Sequence, residues 1–318
     1  MTTYKEIFGK YVKNYSSDPT ADIEGQIWYN TTSGSFKSNL NLGGVWAAGG
    51  TMGTARYGLA GAGTQTAGLA AGGGNPGNLT ATEEYDGSAW AGGGNMGTAR
   101  RQLSGAGTQT AGLVFGGFTT GGVANTEEYD GSTWSPGGSL GTARRLLGGA
   151  GTQTAGLAIG GFIAPPATTT ATEEYDGAAW TAGGTMGTSR YRLAGSGTQT
   201  SALAFGGTLF PPEVTVANTE EYDGSAWTAG GNLNTAKNGL AGAGTQTATI
   251  AFGSPAVSES YNGTSWTNSP SLGTARSSLA GAGTQTLALA FGGTTGSFSA
   301  ATEEFTNPTT ATKTITTS

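Results

Sequence analysis

The chain has 318 residues and contains neither cysteine nor histidine. Without cysteine there is no disulfide, and the redox character of the compartment leaves no trace. Together the two absences remove zinc sites built on Cys or His, Ser-His-Asp triads, thiol nucleophiles and imidazole bases. Charge is scarce as well: 14 Lys and Arg stand against 20 Asp and Glu, for a net charge of −6. That balance gives no general attraction to nucleic acid or to an anionic membrane, and neither is expected as a partner. No apolar run reaches the length of a membrane-spanning helix, so no membrane insertion is expected. The opening MTTYKEIFGKYVKNY lacks the apolar core that a signal peptide needs.

Glycine is plentiful, with 60 residues, and it sits at fixed places rather than in a tract. The stretch GAGTQTAGLA at 61–70 returns five more times in close variants. Its phase marker Gly63 recurs as Gly107, Gly151, Gly197, Gly244 and Gly283, at spacings of 44, 44, 46, 47 and 39 residues. A period of this size belongs to a solenoid or a propeller. One unit, Arg100 to Ala143, reads RRQLSGAG, TQTAGLVFGG, a variable stretch, NTEEYDGSTW and SPGGSLGTA. It holds four short runs separated by glycines and turn signals, and the Asp-Gly between Tyr129 and Trp134 marks a tight hairpin. No helical spacing is sustained. Four antiparallel strands in a unit of this length predict a propeller blade. Small residues fill the first two runs, as strands near an axis require, and Tyr and Trp come later, where a wedge widens.

These residues resemble the kelch repeat: a Gly-Gly pair closing an apolar strand, then a Tyr, a Trp, and an Arg leading to the next unit. Tyr85/Trp90, Tyr129/Trp134, Tyr175/Trp180, Tyr222/Trp227 and Tyr261/Trp266 keep the spacing, and the resemblance covers residues 46–305. The fifth unit has Gly253-Ser254 for Gly-Gly, Lys237 for Arg and Asn262 for Asp; the sixth has Phe305 for Tyr and no Trp of its own. A sixth Trp, Trp46, precedes the first full unit. The expected fold is therefore an all-β, six-bladed kelch-type β-propeller of four-stranded antiparallel blades, 46–305. The Trp46 strand would join the last blade and remove two open sheet edges. An alternative lets the Thr-rich tail, 306–318, supply that strand. The Gln of each GTQT is expected to satisfy backbone or neighbouring-blade groups.

Residues 1–45 do not repeat and form a separate small β segment. Gly25 to Asn30 and Ser35 to Ser38 read as a hairpin with a four-residue loop. SSDPT, EGQIWYN and TTSGSFK resemble N-terminal parts of tail-fibre and other virion proteins of tailed phages. By that resemblance Ile27, Trp28, Tyr29 and Phe36 would attach the propeller to other virion proteins or to a second copy of the chain. It also places the protein in the phage particle, assembled in the host cytoplasm.

Candidate binding residues follow from strand direction. The loops between runs two and three share a face with the connectors between units, and these loops vary: FTTGGVAN (118–125), FIAPPATTTA (162–171) and TLFPPEVTVAN (208–218). Variable loops on a rigid frame carry specificity. Phe118, Phe162, Ile163, Leu209 and Phe210 put apolar groups there, suited to a glycan or protein. Arg56, Arg100, Arg144, Arg190, Lys237 and Arg276 lie on the same face and would either bind a carboxylate or phosphate or pair with the repeated Glu doublets. No catalytic residue, metal or cofactor is expected. Galactose oxidase needs His ligands and a Tyr-Cys crosslink for copper; the sialidase Asp-box order fails here; and the acids recur in every unit, unlike a glycosidase pair. Asp86, Asp130, Asp176 and Asp223 read as turn formers. The function expected is a non-enzymatic phage virion protein binding a host-surface glycan or protein. The alternatives are a purely structural virion decoration, neck or spacer protein, and an intracellular kelch scaffold.

Overall fold

The computed structural model describes residues 13–17, 27–40, 44–164, 167–307 and 311–315. Asp18–Thr20 of the turn-rich break, Gly25–Gln26 of the hairpin and the Pro165-Pro166 pair lie outside the described residues. Those described are all-β, with no helix among them. The chain divides into two compact units, Trp46–Thr306 and Met1–Val45 with Asn307–Ser318.

In the larger unit the strands form six four-stranded sheets. The first sheet shows the pattern: Ala60–Thr64, Ala67–Ala71, Thr82–Tyr85 and Trp90–Gly92, each antiparallel to its neighbour. The sixth is built from Ala280–Gly283, Leu287–Phe291, Thr302–Thr306 and, from the other end of the sequence, Val45–Ala48. This arrangement is consistent with a β-propeller. First strands carry small residues because they crowd one another: a Cβ on Gly105 would lie 2.9 Å from Gly61 O and 3.1 Å from the Ala60 Cβ. Outside the fifth sheet, a Gly-Gly pair ends the second strand by turning left-handed, as at Gly116 (φ +65°) and Gly117 (φ +109°), a conformation that costs glycine nothing sterically.

Polar side chains that recur in the sequence tie each sheet to the one before it. Gln109 Nε2 donates to Gly68 O (3.1 Å) and Tyr85 O (2.8 Å) of the first sheet. Trp134 Nε1 donates to Thr82 Oγ1 at 2.9 Å, and the Tyr129 hydroxyl donates to Glu84 at 2.5 Å. The same three ties run from the first sheet to the sixth: Gln65 to Ala288 O and Phe305 O, Trp90 to Thr302 Oγ1, and Tyr85 to Glu304. Trp46, in the sixth sheet, reaches back to Ser258 Oγ of the fifth. The GTQT glutamine is thus an inter-sheet clasp, both amide hydrogens occupied by backbone carbonyls.

A second set of bonds links the connectors ahead of the first strands. The first strands begin four residues after the repeat cation, not at it, because the residue two past the cation turns left-handed: Gly58, Gln102, Leu146, Arg192, Gly239 and Ser278 all have φ of 54–60°. Their amides donate in succession: Gln102 to Gly58 O, Leu146 to Gln102 O, Arg192 to Leu146 O, Gly239 to Arg192 O, Ser278 to Gly239 O and Gly58 to Ser278 O, all at 2.6–2.9 Å. The series returns to its start. Four of these residues are not glycine, and the hydrogen-bonded collar is what holds them in a conformation of higher energy. Below it, the first strands of all six sheets line a narrow cavity of about 120 Å³.

At the outer turns Asp86 Oδ1 accepts from the amides of Ser88 and Ala89, both at 2.8 Å, and Asp130, Asp176, Asp223 and Asn262 repeat this.

The smaller unit has its own four-stranded sheet: Lys13–Tyr15, Ile27–Asn30, Ser35–Leu40 and Ala311–Ile315. The hairpin closes on residues 31–34, with Asn30 Oδ1 capping the amides of Thr32 (3.0 Å) and Ser33 (2.9 Å). The C-terminal residues do not complete the sixth sheet. Ala311–Ile315 pairs antiparallel with Phe36–Leu40 instead, because Val45–Ala48 already occupies the edge beside Thr302–Thr306. Ala311–Ile315 is thus the edge strand beside Ser35–Leu40.

Candidate functional site

The six repeat cations do not face solvent. Arg56, Arg100, Arg144, Arg190 and Arg276 are fully buried and Lys237 nearly so. Each is paired with the first Glu of its own sheet's doublet, or with Glu259, at 2.7–3.0 Å: Arg56–Glu83, Arg100–Glu127, Arg144–Glu173, Arg190–Glu220, Lys237–Glu259 and Arg276–Glu303. Of the two roles the sequence left open for these cations, the structure shows the pairing with Glu and not a ring facing solvent. A charge with no water contact needs its counter-ion, and here every counter-ion is internal. Burial pulls each guanidinium below its ordinary pKa while the paired carboxylate opposes the fall.

These arginines have a different task. Arg100 Nη1 donates to Gly116 O (2.9 Å) and Asn125 O (2.6 Å), the carbonyls at the two ends of the 118–124 loop. Arg190 likewise bridges Gly206 O (2.8 Å) and Asn218 O (2.7 Å) beneath the 208–218 loop. Arg56, Arg144 and Arg276 bridge the same positions of their own units. Glu127 in turn takes the amide of Gly97 at 2.6 Å, fixing the incoming connector. In five units the repeat Arg is a clamp at the neck of the variable loop, while Lys237 of the fifth bonds Glu259 alone.

The loops rise from these clamps beside the connectors. Short bridges join Arg101 to Phe118, Arg145 to Phe162 and Tyr191 to Thr208. These three pairings put the residue after the repeat cation next to the first residue of its loop. Phe118, Thr120, Gly121, Gly122, Arg145, Phe162, Ile163 and Ala164 enclose a pocket of about 380 Å³ between the second and third loops. Arg145 Cζ lies 4.6 Å from the Phe118 ring centre and 5.2 Å from that of Phe162. Phe162 also meets Phe210 at 5.7 Å and Tyr191 at 5.3 Å, both edge-on. The structure thus brings together Phe118, Phe162, Ile163 and Phe210 from the sequence reading. Leu209 lies in the two-residue strand beside Phe210, half-buried, and does not line the pocket. Sequence reasoning missed Arg101, Arg145 and Arg192. The available signal was phase: these cations sit one or two residues after the repeat cation and recur in no fixed pattern.

In the smaller unit Trp28 is fully buried, so it holds the sheet together and cannot present itself to a partner. Tyr29 packs edge-on against Phe36 at 5.2 Å, and Ile27 is 40% exposed.

No protein-family model matches the chain, and no curated protein matches it. Among solved structures the chain is similar to that of YjhT, a kelch-like propeller, with a TM-score of 0.68 over 80% of this chain and 95% of that one. Sequence identity is 13%, so the likeness is one of fold alone.

Proposed function

We propose that the protein is a non-enzymatic binding module: a closed six-bladed β-propeller that offers its variable loops to a host-surface ligand, with the N-terminal segment attaching it to a virion. Closure is supported by the Val45–Ala48 strand in the sixth sheet, by the ties from Gln65, Tyr85 and Trp90 to that sheet, and by the collar that returns to Gly58. The binding reading rests on one observation. The pocket between the second and third loops is made of side chains that only some of the units carry, on a frame whose recurring polar groups are occupied internally. A non-catalytic role accords with this, since the Glu doublets are taken by Arg or Lys and by Tyr. The virion half of the proposal rests on the resemblance of residues 16–38 to phage tail proteins.

The test compares the full chain with a variant whose 162–171 and 208–218 loops are shortened, on glycan arrays and on host cells. The full chain binds and the variant does not. Equal binding by both, or by neither, overturns the proposal.

A further inference from the structure

Residues 46–306 hold nine cations, eight Arg and one Lys. Six are the buried repeat cations, each paired with a Glu. The other three, Arg101, Arg145 and Arg192, lie on the connectors into the second, third and fourth sheets, all on the loop face. None has a carboxylate partner among the described residues. Arg101 donates to Asn78 Oδ1 at 2.9 Å. Arg145 and Arg192 make no side-chain hydrogen bond there; they rest on aromatic rings, Arg145 on Phe118 and Phe162, and Arg192 on Tyr191 at 5.5 Å. The Nε groups of Arg101 and Arg192 are buried without an acceptor. Glu213, on the neighbouring loop, accepts the Tyr191 hydroxyl and pairs with none of the three. The three charges are near enough to feel one another: burial first, then the charges of Arg101 and Arg192, pull the Arg145 pKa below its ordinary value. An acidic chain has therefore placed three guanidinium groups without carboxylate partners on successive connectors; Arg101 and Arg145 share the Phe118 ring, and Arg145 lines the pocket.

Like charges brought together without a counter-ion destabilise the fold unless something outside it supplies one. Half-buried guanidinium groups with free N–H donors match the two oxygens of a carboxylate or sulfate. The walls beside Arg145 are the rings of Phe118 and Phe162, and the space of about 380 Å³ has the size of a small-ligand site. An extended peptide would need an open strand edge or a long groove; the pocket is a short recess between two loops.

We infer that this pocket binds an acidic saccharide, its carboxylate or sulfate received by Arg145 between Arg101 and Arg192 and its ring set against Phe118 and Phe162. The inference rests on the loop-face reading above and names the ligand chemistry.

Calorimetric titration of the full chain tests it with four probes: an oligogalacturonate, a sulfated heparin oligosaccharide, a neutral malto-oligosaccharide of equal length and a polyglutamate peptide. At least one acidic saccharide binds at least about tenfold more tightly than the neutral one, and added salt weakens it. Arg145→Gln lowers that affinity by about tenfold or more, while Arg145→Lys retains part of it. Thermal unfolding shows Arg145→Gln as stable as the parent or more so, since a repulsion is removed. Neutral sugar bound as well as acidic, unchanged affinity in Arg145→Gln, tighter binding of polyglutamate, or silence from both acidic saccharides each overturns the inference. If the acidic probes fail while loop shortening still abolishes binding to host cells, the ligand chemistry falls and the loop-face reading stands.

Discussion

Replacing Trp46 by alanine tests the proposed closure through the sixth sheet, which Val45–Ala48 shares with Thr302–Thr306. Trp46 stands alone at the start of the repeat region, yet its indole does what the other five do. Its Nε1 donates to Ser258 Oγ and Pro270 O, both at 3.1 Å, and its ring meets Phe252 at 5.0 Å and Phe305 at 5.2 Å. Trp-to-Ala changes in a core cost roughly 3–5 kcal/mol. Trp46 is half-buried, which puts it at the low end, about 3 kcal/mol, of which the hydrogen bonds contribute about 1 and the two ring contacts about 1–2. For a unit of this size, 46–306, that corresponds to a fall in Tm of roughly 6–12 °C. The loss has an address as well as a size. Val45–Ala48 is tied to the sixth sheet by hydrogen bonds and packing alone, so its amides and those of Thr302–Thr306 should lose exchange protection before any other sheet opens. Circular dichroism melting and amide hydrogen exchange of Trp46→Ala, beside Trp90→Ala as the matched site inside the chain, give both readouts. A Tm within about 1 °C of the parent, or exchange no faster in the sixth sheet than in the others, would refute the proposed closure.

Two further outcomes follow from the interior. Glu127→Gln leaves the fully buried Arg100 without its counter-ion and should cost about 3–5 kcal/mol in urea unfolding, well beyond a surface ion pair; a loss under about 1 kcal/mol would mean the loop clamps carry little. The hydroxyls of Tyr85, Tyr129, Tyr175, Tyr222 and Tyr261 donate to carboxylates of the preceding sheet, and burial, together with those carboxylates, raises each pKa to about 12. A folded pKa above the unfolded value of about 10 means stability is fully present below pH 10 and falls as pH rises from there toward 12. Unfolding monitored against pH should show that alkaline loss, with tyrosinate from these five residues appearing in step with it; ionisation of these five near pH 10 in the folded protein, read from residue-resolved NMR, would count against the buried ties.

The repeat made much of this architecture legible. Phase alone assigned four strands to each unit, and counting Trp residues placed Trp46 with the sixth sheet, because a strand's partner type is written in its own side chains. Pairing across long separations was not legible. Lys13–Tyr15 runs parallel to Trp28–Asn30, and Ala311–Ile315 joins Phe36–Leu40, with no turn between partners to announce either. The site failed in the opposite sense. A residue repeated six times looks important, and Arg100 and its counterparts are important, but as loop clamps that burial hides. Arg101 and Arg145 stand directly after such residues and read in sequence as doublets; only the fold separates the buried member from its half-buried neighbour.

The six-membered collar of main-chain hydrogen bonds has no first or last link. Each amide finds its acceptor one sheet back, so the set is satisfied only as a whole, and a partial copy of the unit would strand one N–H and one C=O at the channel mouth at a cost of about 1–3 kcal/mol. Such a chain can gain or lose material near its axis only by entire modules. Five of the loops are each held by an Arg clamp of their own unit and can diverge alone. The recurring bonds are thus concentrated at the collar and the variation in the loops, which is how one near-monotonous sequence comes to carry a pocket between two of its loops.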